Sequence, residues 1–217
     1  MTRIYKIGNL GFVHLSKCAG TSIAVFIENH MQNEISVVDI PDTVGHVTPW
    51  RTRHYWHDSK LQTMVFVREP LAWLVSTWKY WTKYPNIRAD AMRALNNPFC
   101  YWGITFSKRL LNIIHEGDID KTFVYWYHHD RYLLYDLYGA FTSSATYVGK
   151  VEYLADDFFS FLSKANKKDY SIQRALFQDF ERQNVSDVKV PEINANLLKE
   201  FYNVNKQLYE RFGYEQA

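Results

Sequence analysis

Short apolar runs alternating with amphipathic stretches predict an α/β domain with a central, largely parallel sheet flanked by helices. Two strand-loop-helix units carry this expectation. In the first, the run LGFVHL at 10–15 passes through SKCAGTS into a stretch whose Ile23, Phe26, Ile27 and His30 recur at helical spacing. In the second, TMVFV at 63–67 ends at Arg68-Glu69-Pro70, and Leu71, Leu74, Val75, Trp78 and Trp81 continue at helical spacing. Pro70 suits a first helical turn, where its missing N–H has no intrahelical partner to lose. A third run, Ile35 to Ile40, stops at Pro41-Asp42 and reads as another buried strand, and ATYVGK at 145–150 reads as a further short one. Ligands of such sheets gather at the carboxyl ends of the strands.

The remaining chain is less explicit. Residues 86–140 are aromatic and helix-leaning without assignable elements. Glu152 precedes an amphipathic stretch with Leu154, Phe158, Phe161 and Leu162 on one face, and KANKKDYSIQR at 164–174 reads as polar and exposed. From Asn194 onward, Leu197, Leu198, Phe201, Val204, Leu208 and Phe212 repeat at helical spacing, with Gly213 placed to stop the helix. No internal repeat or linker divides residues 1–217, which are expected to form one domain.

Composition bounds the function. The 217 residues are 47% hydrophobic and 17% aromatic, enough for a sizeable core and incompatible with a disordered chain. With 25 Lys and Arg against 23 Asp and Glu, the net charge of +2 is spread along the length, which argues against a nucleic-acid partner. Two cysteines, Cys18 and Cys100, cannot build a disulfide framework, so a reducing compartment is expected. No apolar window long enough to cross a membrane occurs, and the N-terminus lacks the pattern of a signal peptide. A soluble, cytoplasmic chain without a membrane partner is the resulting expectation.

Two constellations carry chemistry. FVHLSKCAGTS places Lys17, the small pair Ala19-Gly20 and the hydroxyls of Thr21 and Ser22 between a strand and a helix start. Backbone N–H groups and the helix dipole favour an anion there, Gly20 permits close approach, and Lys17 adds a mobile charge. The same residues also fit an ordinary Ser/Thr helix start. A Walker A loop would put its lysine directly after the last glycine, where this chain has Thr21, and no Asp ends the 63–67 strand to hold magnesium. The second constellation sets Arg68 at a strand end, able to grip a phosphate through two parallel N–H contacts, with Ser76 eight residues on as a further donor. An arginine so placed also fits a surface ion pair. Glu69 reads as a carboxylate stabilising the helix start rather than as a catalyst.

His14-Leu-Ser-Lys17-Cys-Ala-Gly20-Thr21-Ser22 resembles the HxxKxxGTS loop of sulfotransferases that use 3′-phosphoadenosine 5′-phosphosulfate (PAPS), and Val67-Arg68-Glu69-Pro70 through Leu74-Val75-Ser76 resembles that family's FxRDPxxRLxS element. Weaker matches are Gly45-His46, Tyr147 to Glu152, and Leu208 to Tyr214; all keep the family's order and together cover most of the chain. The similarity is greatest to the carbohydrate sulfotransferases. Departures are Cys18-Ala19 for the usual Thr-Gly, Glu69 for Asp, and Trp73 where Arg is frequent.

The resemblance implies a three-layer fold related to P-loop NTPases. It implies a donor loop of Ser16, Lys17, Cys18, Ala19, Gly20, Thr21 and Ser22 on the 5′-phosphosulfate, with Arg68 and Ser76 on the 3′-phosphate. It further implies PAPS as donor, 3′,5′-adenosine bisphosphate (PAP) as product, no metal, and a hydroxyl acceptor, in the first instance a carbohydrate. Lys17 would balance charge on the leaving phosphate, and His46, matching the family's Gly-His, would take the acceptor proton. Two rivals are a P-loop-like small-molecule kinase and a non-catalytic nucleotide-binding protein of the same fold. His54 and His57 sit three apart, and His128-His129 are adjacent, but no Cys or Glu set completes a metal site beside them. The stretch from Trp50 to His57 fits either a face for a sugar or anionic acceptor or an amphipathic helix that buries Trp50 and Tyr55 and leaves its arginines in water.

Overall fold

The computed structural model describes residues 2–40, 48–83, 114, 116–129, 131–180 and 188–215. These residues fall into two compact units, Met1–Arg68 with Gly139–Val185, and Glu69–Tyr138 with Ser186–Ala217.

The first unit contains the sheet. Its strands are β1 (Thr2–Ile7), β2 (Leu10–Val13), β3 (Ile35–Ile40), β4 (Gln62–Val67) and β5 (Tyr147–Lys150), in the order β3-β1-β2-β4-β5. β4 pairs in parallel with both β2 and β5, as expected for α/β architecture. The expectation of a parallel sheet is corrected by β1, which runs antiparallel to both β2 and β3, so the sheet is mixed. β1 and β2 form a hairpin with Ile7 opposite Leu10, turning through Gly8-Asn9. Gly8 has φ 58, a conformation costly for any residue with a Cβ. Asn166 clamps this turn: its side-chain oxygen accepts from the Asn9 N–H at 2.6 Å and its amide donates to the Ile7 carbonyl at 3.1 Å. The polar stretch at 164–174 is therefore not simply exposed, since it also buries Tyr170.

Because β1 reverses between them, β3 points the same way as β2, β4 and β5. Ile40, Val13, Val67 and Lys150 all end at one edge of the sheet. β3 itself is not the buried strand the apolar run suggested. It is an outer strand, and Val37 is 40% exposed.

Helices lie on both faces of the sheet. Alternate residues of β4 point oppositely. Phe66 meets Phe158 and Phe161 of α6 (Leu154–Asn166) on one side. Thr63 meets Arg53 of α2 (Pro49–Tyr55) on the other. α1 (Gly20–His30) sends Phe26 against Phe159 of α6 and Phe177 of α7 (Ser171–Gln178), with ring centroids 6.0 and 4.8 Å apart.

The described elements of the second unit are helices. α3 (Pro70–Lys83) starts at Pro70 as predicted but buries Trp73 and Thr77 alongside Leu74, Trp78 and Trp81, so its apolar stripe is rotated away from Leu71 and Val75. α4 (Ile119–His129) packs Phe123 and Trp126 on Phe201 of α8 (Ala195–Phe212). Gly213, at φ 61, ends α8 as the sequence anticipated. α5 (Leu133–Thr142) begins in this unit and ends in the first. Among the described residues no helix is long and apolar enough to cross a membrane.

Candidate functional site

The loop from Leu15 to Ala19 leaves β2 at the carboxyl edge of the sheet and enters α1. It turns tightly: the Cys18 N–H donates to the Leu15 carbonyl at 3.2 Å, and the Ile23 N–H donates to the Ala19 carbonyl at 3.1 Å to begin the helix. Lys17 and Ala19 both adopt left-handed backbone, with φ 63 and 60. Left-handed residues interleaved with right-handed ones turn successive N–H groups toward one concavity, an arrangement that suits anions. No side chain caps the start of α1, so the reading of Thr21 and Ser22 as ordinary cap residues is not what the geometry shows. Thr21 is exposed and Ser22 buried, while Ser16 is buried before the turn.

Gly20 is required for packing. Any side chain there would run into the imidazole of His14, which leans across from the end of β2 and stacks on Phe12 at 6.3 Å. The sequence suggested that Gly20 admits an anion; in the structure the space a side chain there would take is filled by the His14 ring. That role of His14 was not visible in the spacing.

The two sequence constellations meet here. Arg68, directly after β4, donates from Nη1 to the Lys17 carbonyl oxygen at 3.3 Å. The two cations feel each other: burial, and then the Arg68 charge, lower the Lys17 ammonium from its usual 10.5 to about 8. Cys18, fully buried between them, has its thiol pushed up, chiefly by burial and partly by the Glu152 carboxylate, against the opposing pull of Arg68. Glu152 follows β5 and so belongs to the same edge as Arg68 and the loop.

The other predicted residues are described by their own surroundings. Ser76 lies on α3 in the second unit, partly exposed. Glu69, also in the second unit, does what the sequence suggested: its carboxylate accepts from the Leu71 N–H at 3.0 Å and from the Ala72 N–H, capping α3. It also accepts from the Tyr209 hydroxyl, whose proton is held more tightly for burial and for that bond. His46 and Gly45 lie outside the described residues. Among the described residues no group of His, Cys, Asp and Glu is arranged to hold a metal ion.

On α2 the expected amphipathic arrangement holds for Tyr55, which packs against Ile4, but not for Trp50 or Arg53. Trp50 is 66% exposed, whereas Arg53 is drawn inward. Its guanidinium donates to the Leu61 carbonyl at 2.9 Å, the Thr63 hydroxyl at 3.3 Å and the Ser144 carbonyl at 2.8 Å. Three acceptors at the start of β4 and before β5 outweigh the cost of partly burying one guanidinium.

What the cluster can do chemically follows from its parts. A tight loop entering a helix start, with the Lys17 and Arg68 charges beside it, suits a phosphate or sulfate ester. Compared with protein-family models, curated proteins and solved structures, the chain has no match in any of the three.

Proposed function

We propose that this chain is a sulfotransferase that moves a sulfuryl group from PAPS to a hydroxyl acceptor, a carbohydrate in the first instance. The observation that supports this reading is the Arg68-to-Lys17 hydrogen bond, which ties cations from two strand ends to one anion-directed loop. The residues suit the donor on two counts. Lys17 and Ala19 hold left-handed backbone, which suits a loop whose N–H groups face an anion, and Gly20, packed against the His14 ring, carries no side chain. The finer fold that goes with this reading is a P-loop-related one, with β2, the loop and α1 as its donor-binding unit.

When bound, the donor supplies an activated sulfuryl group and a phosphate leaving group. The chain's residues then have separate tasks. The N–H groups of Gly20, Thr21 and Ser22 hold the 5′-phosphate, within a loop shaped by Ser16, Cys18 and Ala19. Lys17 balances charge that grows on the bridging oxygen as the bond to sulfur breaks. Arg68 grips the 3′-phosphate. His46 takes the acceptor's hydroxyl proton as the new oxygen–sulfur bond forms. A reducing, cytoplasmic location belongs to the same reading and rests on the chain's two cysteines.

Calorimetry with PAP against magnesium-ATP tests the proposal, followed by labelled sulfate transfer from PAPS to a panel of hydroxyl acceptors. PAP should bind and ATP should not, and label should appear on a carbohydrate. Magnesium-dependent ATP consumption would establish the kinase instead. PAP binding without transfer to any acceptor would leave a non-catalytic nucleotide-binding protein.

A further inference from the structure

We propose that Lys17 is acylated by acyl phosphates and that this modification switches off the anion-binding loop. The inference rests on the sulfotransferase reading for the donor that is shut out, and deepens it by naming a regulation of the same site. It starts from how two cations are held. Arg68, directly after β4, donates from Nη1 to the carbonyl oxygen of Lys17 itself at 3.3 Å, so the guanidinium is tethered to the residue that carries the ammonium. Lys17 lies between the buried Ser16 and Cys18, in a turn closed by the Cys18 N–H on the Leu15 carbonyl at 3.2 Å. It is itself partly exposed, and so open to a reagent from solvent.

This setting makes the amine a nucleophile. An ammonium tethered beside a like charge and partly withdrawn from water gives up its proton more readily than one in solvent. Burial first, and the Arg68 charge second, bring Lys17 down from 10.5 to about 8, against the opposing influence of Cys18. Near that pH roughly half of the Lys17 side chains are neutral amine, the form that attacks a carbonyl carbon. Lys121 is the contrast: between Glu116 and Asp118 its ammonium is held above the usual value.

Charge selects the electrophile. A neutral acyl donor has nothing to hold it at a cationic loop, whereas an acyl phosphate carries an anionic group of the kind that Arg68 and a helix start suit. With its phosphate beside Arg68, the acyl group comes within reach of the amine on the residue to which Arg68 is bonded. The amine lone pair adds to the carbonyl carbon, and the carbon–oxygen bond to phosphorus's oxygen breaks. Inorganic phosphate leaves with the bonding pair, and the amine proton passes to water. The amide that remains carries no charge at any pH, so the loop is left with Arg68 alone of its two cations.

The test incubates the full chain with deuterated acetyl phosphate from neutral to alkaline pH and reads the rate at each lysine by peptide mass spectrometry. At pH about 8, Lys17 should be acetylated about tenfold faster than the other lysines, and its rate should level off above that pH. Inorganic phosphate should slow it by competing for the loop. Calorimetry on the acetylated chain should show PAP affinity lowered by about tenfold, while Lys17→Arg, put through the same treatment, should keep the affinity it had before. A Lys17 acetylated no faster than its fellows, a rate indifferent to inorganic phosphate, or an affinity unchanged by acetylation overturns the proposal. Fast, phosphate-sensitive acetylation in a chain that binds no PAP would sink the sulfotransferase reading and leave the acylation site standing, its switch then read with inorganic phosphate. PAP binding with an unreactive Lys17 would do the reverse.

Discussion

Arg68 holds the Lys17 carbonyl oxygen at 3.3 Å, so the residue after β4 fixes the loop after β2. Two charges that repel each other are kept together by a backbone acceptor, and a donor with a phosphate beside each would relieve the repulsion. Arg68→Ala should therefore lower PAP affinity by about a hundredfold, the scale of losing a paired charge-assisted contact. Affinity for 5′-AMP, which lacks the 3′-phosphate, should fall only a fewfold, through the loosened loop. Calorimetry with both nucleotides decides the matter, and an equal loss for the two would remove Arg68 from the 3′-phosphate.

Lys17 gives the site a pH dependence whose sign can be worked out. Burial and Arg68 bring its folded pKa to about 8, below the ordinary 10.5. A lysine depressed on folding costs stability while it is charged. The unliganded protein should thus gain stability as pH rises from about 8 toward 10.5, where the unfolded chain retains the proton that the native state has released. Anion affinity runs the other way, falling as pH rises through about 8, because a neutral Lys17 contributes no charge. PAP binding at alkaline pH should take up a proton, seen as a dependence of the calorimetric heat on buffer ionisation. Lys17→Arg, charged throughout, should flatten the affinity profile. A wild-type profile already flat would mean that Lys17 does not face the anion.

The β2-loop-α1 unit and the β4-to-α3 passage were legible because each condenses its information into one short stretch: a buried run, a punctuating loop, and a cap or proline. β1 was not, since TRIYKI mixes charged and apolar residues, and its place depends on pairing with β3, far along the chain. The Gly8-Asn9 turn was the available signal for that hairpin. Arg53 shows a different limit. On a short helix an arginine reads as solvated, and only the Ser144 carbonyl, 91 residues away, reveals that it is not. The convergence of Lys17 with Arg68 was an expectation of motif order, but His14 packed on Gly20 requires coordinates to see.

The loop stores a small backbone strain that substitution can release. Ala19 sits at φ 60, where a Cβ costs about 1 kcal/mol and glycine costs almost nothing. Ala19→Gly should raise the thermal midpoint slightly, the gain being reduced by the greater freedom of glycine in the unfolded chain. Gly20→Ala should do the opposite and cost about 1–3 kcal/mol by forcing aside the His14 ring. Combining it with His14→Ala tests the cause. The double variant should be less destabilised than the sum of the two single ones, and additivity would mean that the His14 contact is not what excludes a side chain at position 20.

Arg53 ties α2, the start of β4 and the approach to β5 together through Leu61, Thr63 and Ser144. Arg53→Met preserves the aliphatic stem but strands partly buried acceptors, at a cost of about 3 kcal/mol. Arg53→Lys should recover little, because a single ammonium cannot reproduce the fixed spacing at which Nε and Nη2 of the planar group serve three acceptors. Urea unfolding of both variants supplies the comparison. Two midpoints well below wild type place the guanidinium among the groups that hold the sheet's layer together. Two midpoints at the wild-type value would assign the anchoring of α2 to the packing of Thr52 against Gly11 and of Tyr55 and Trp56 around Ile4.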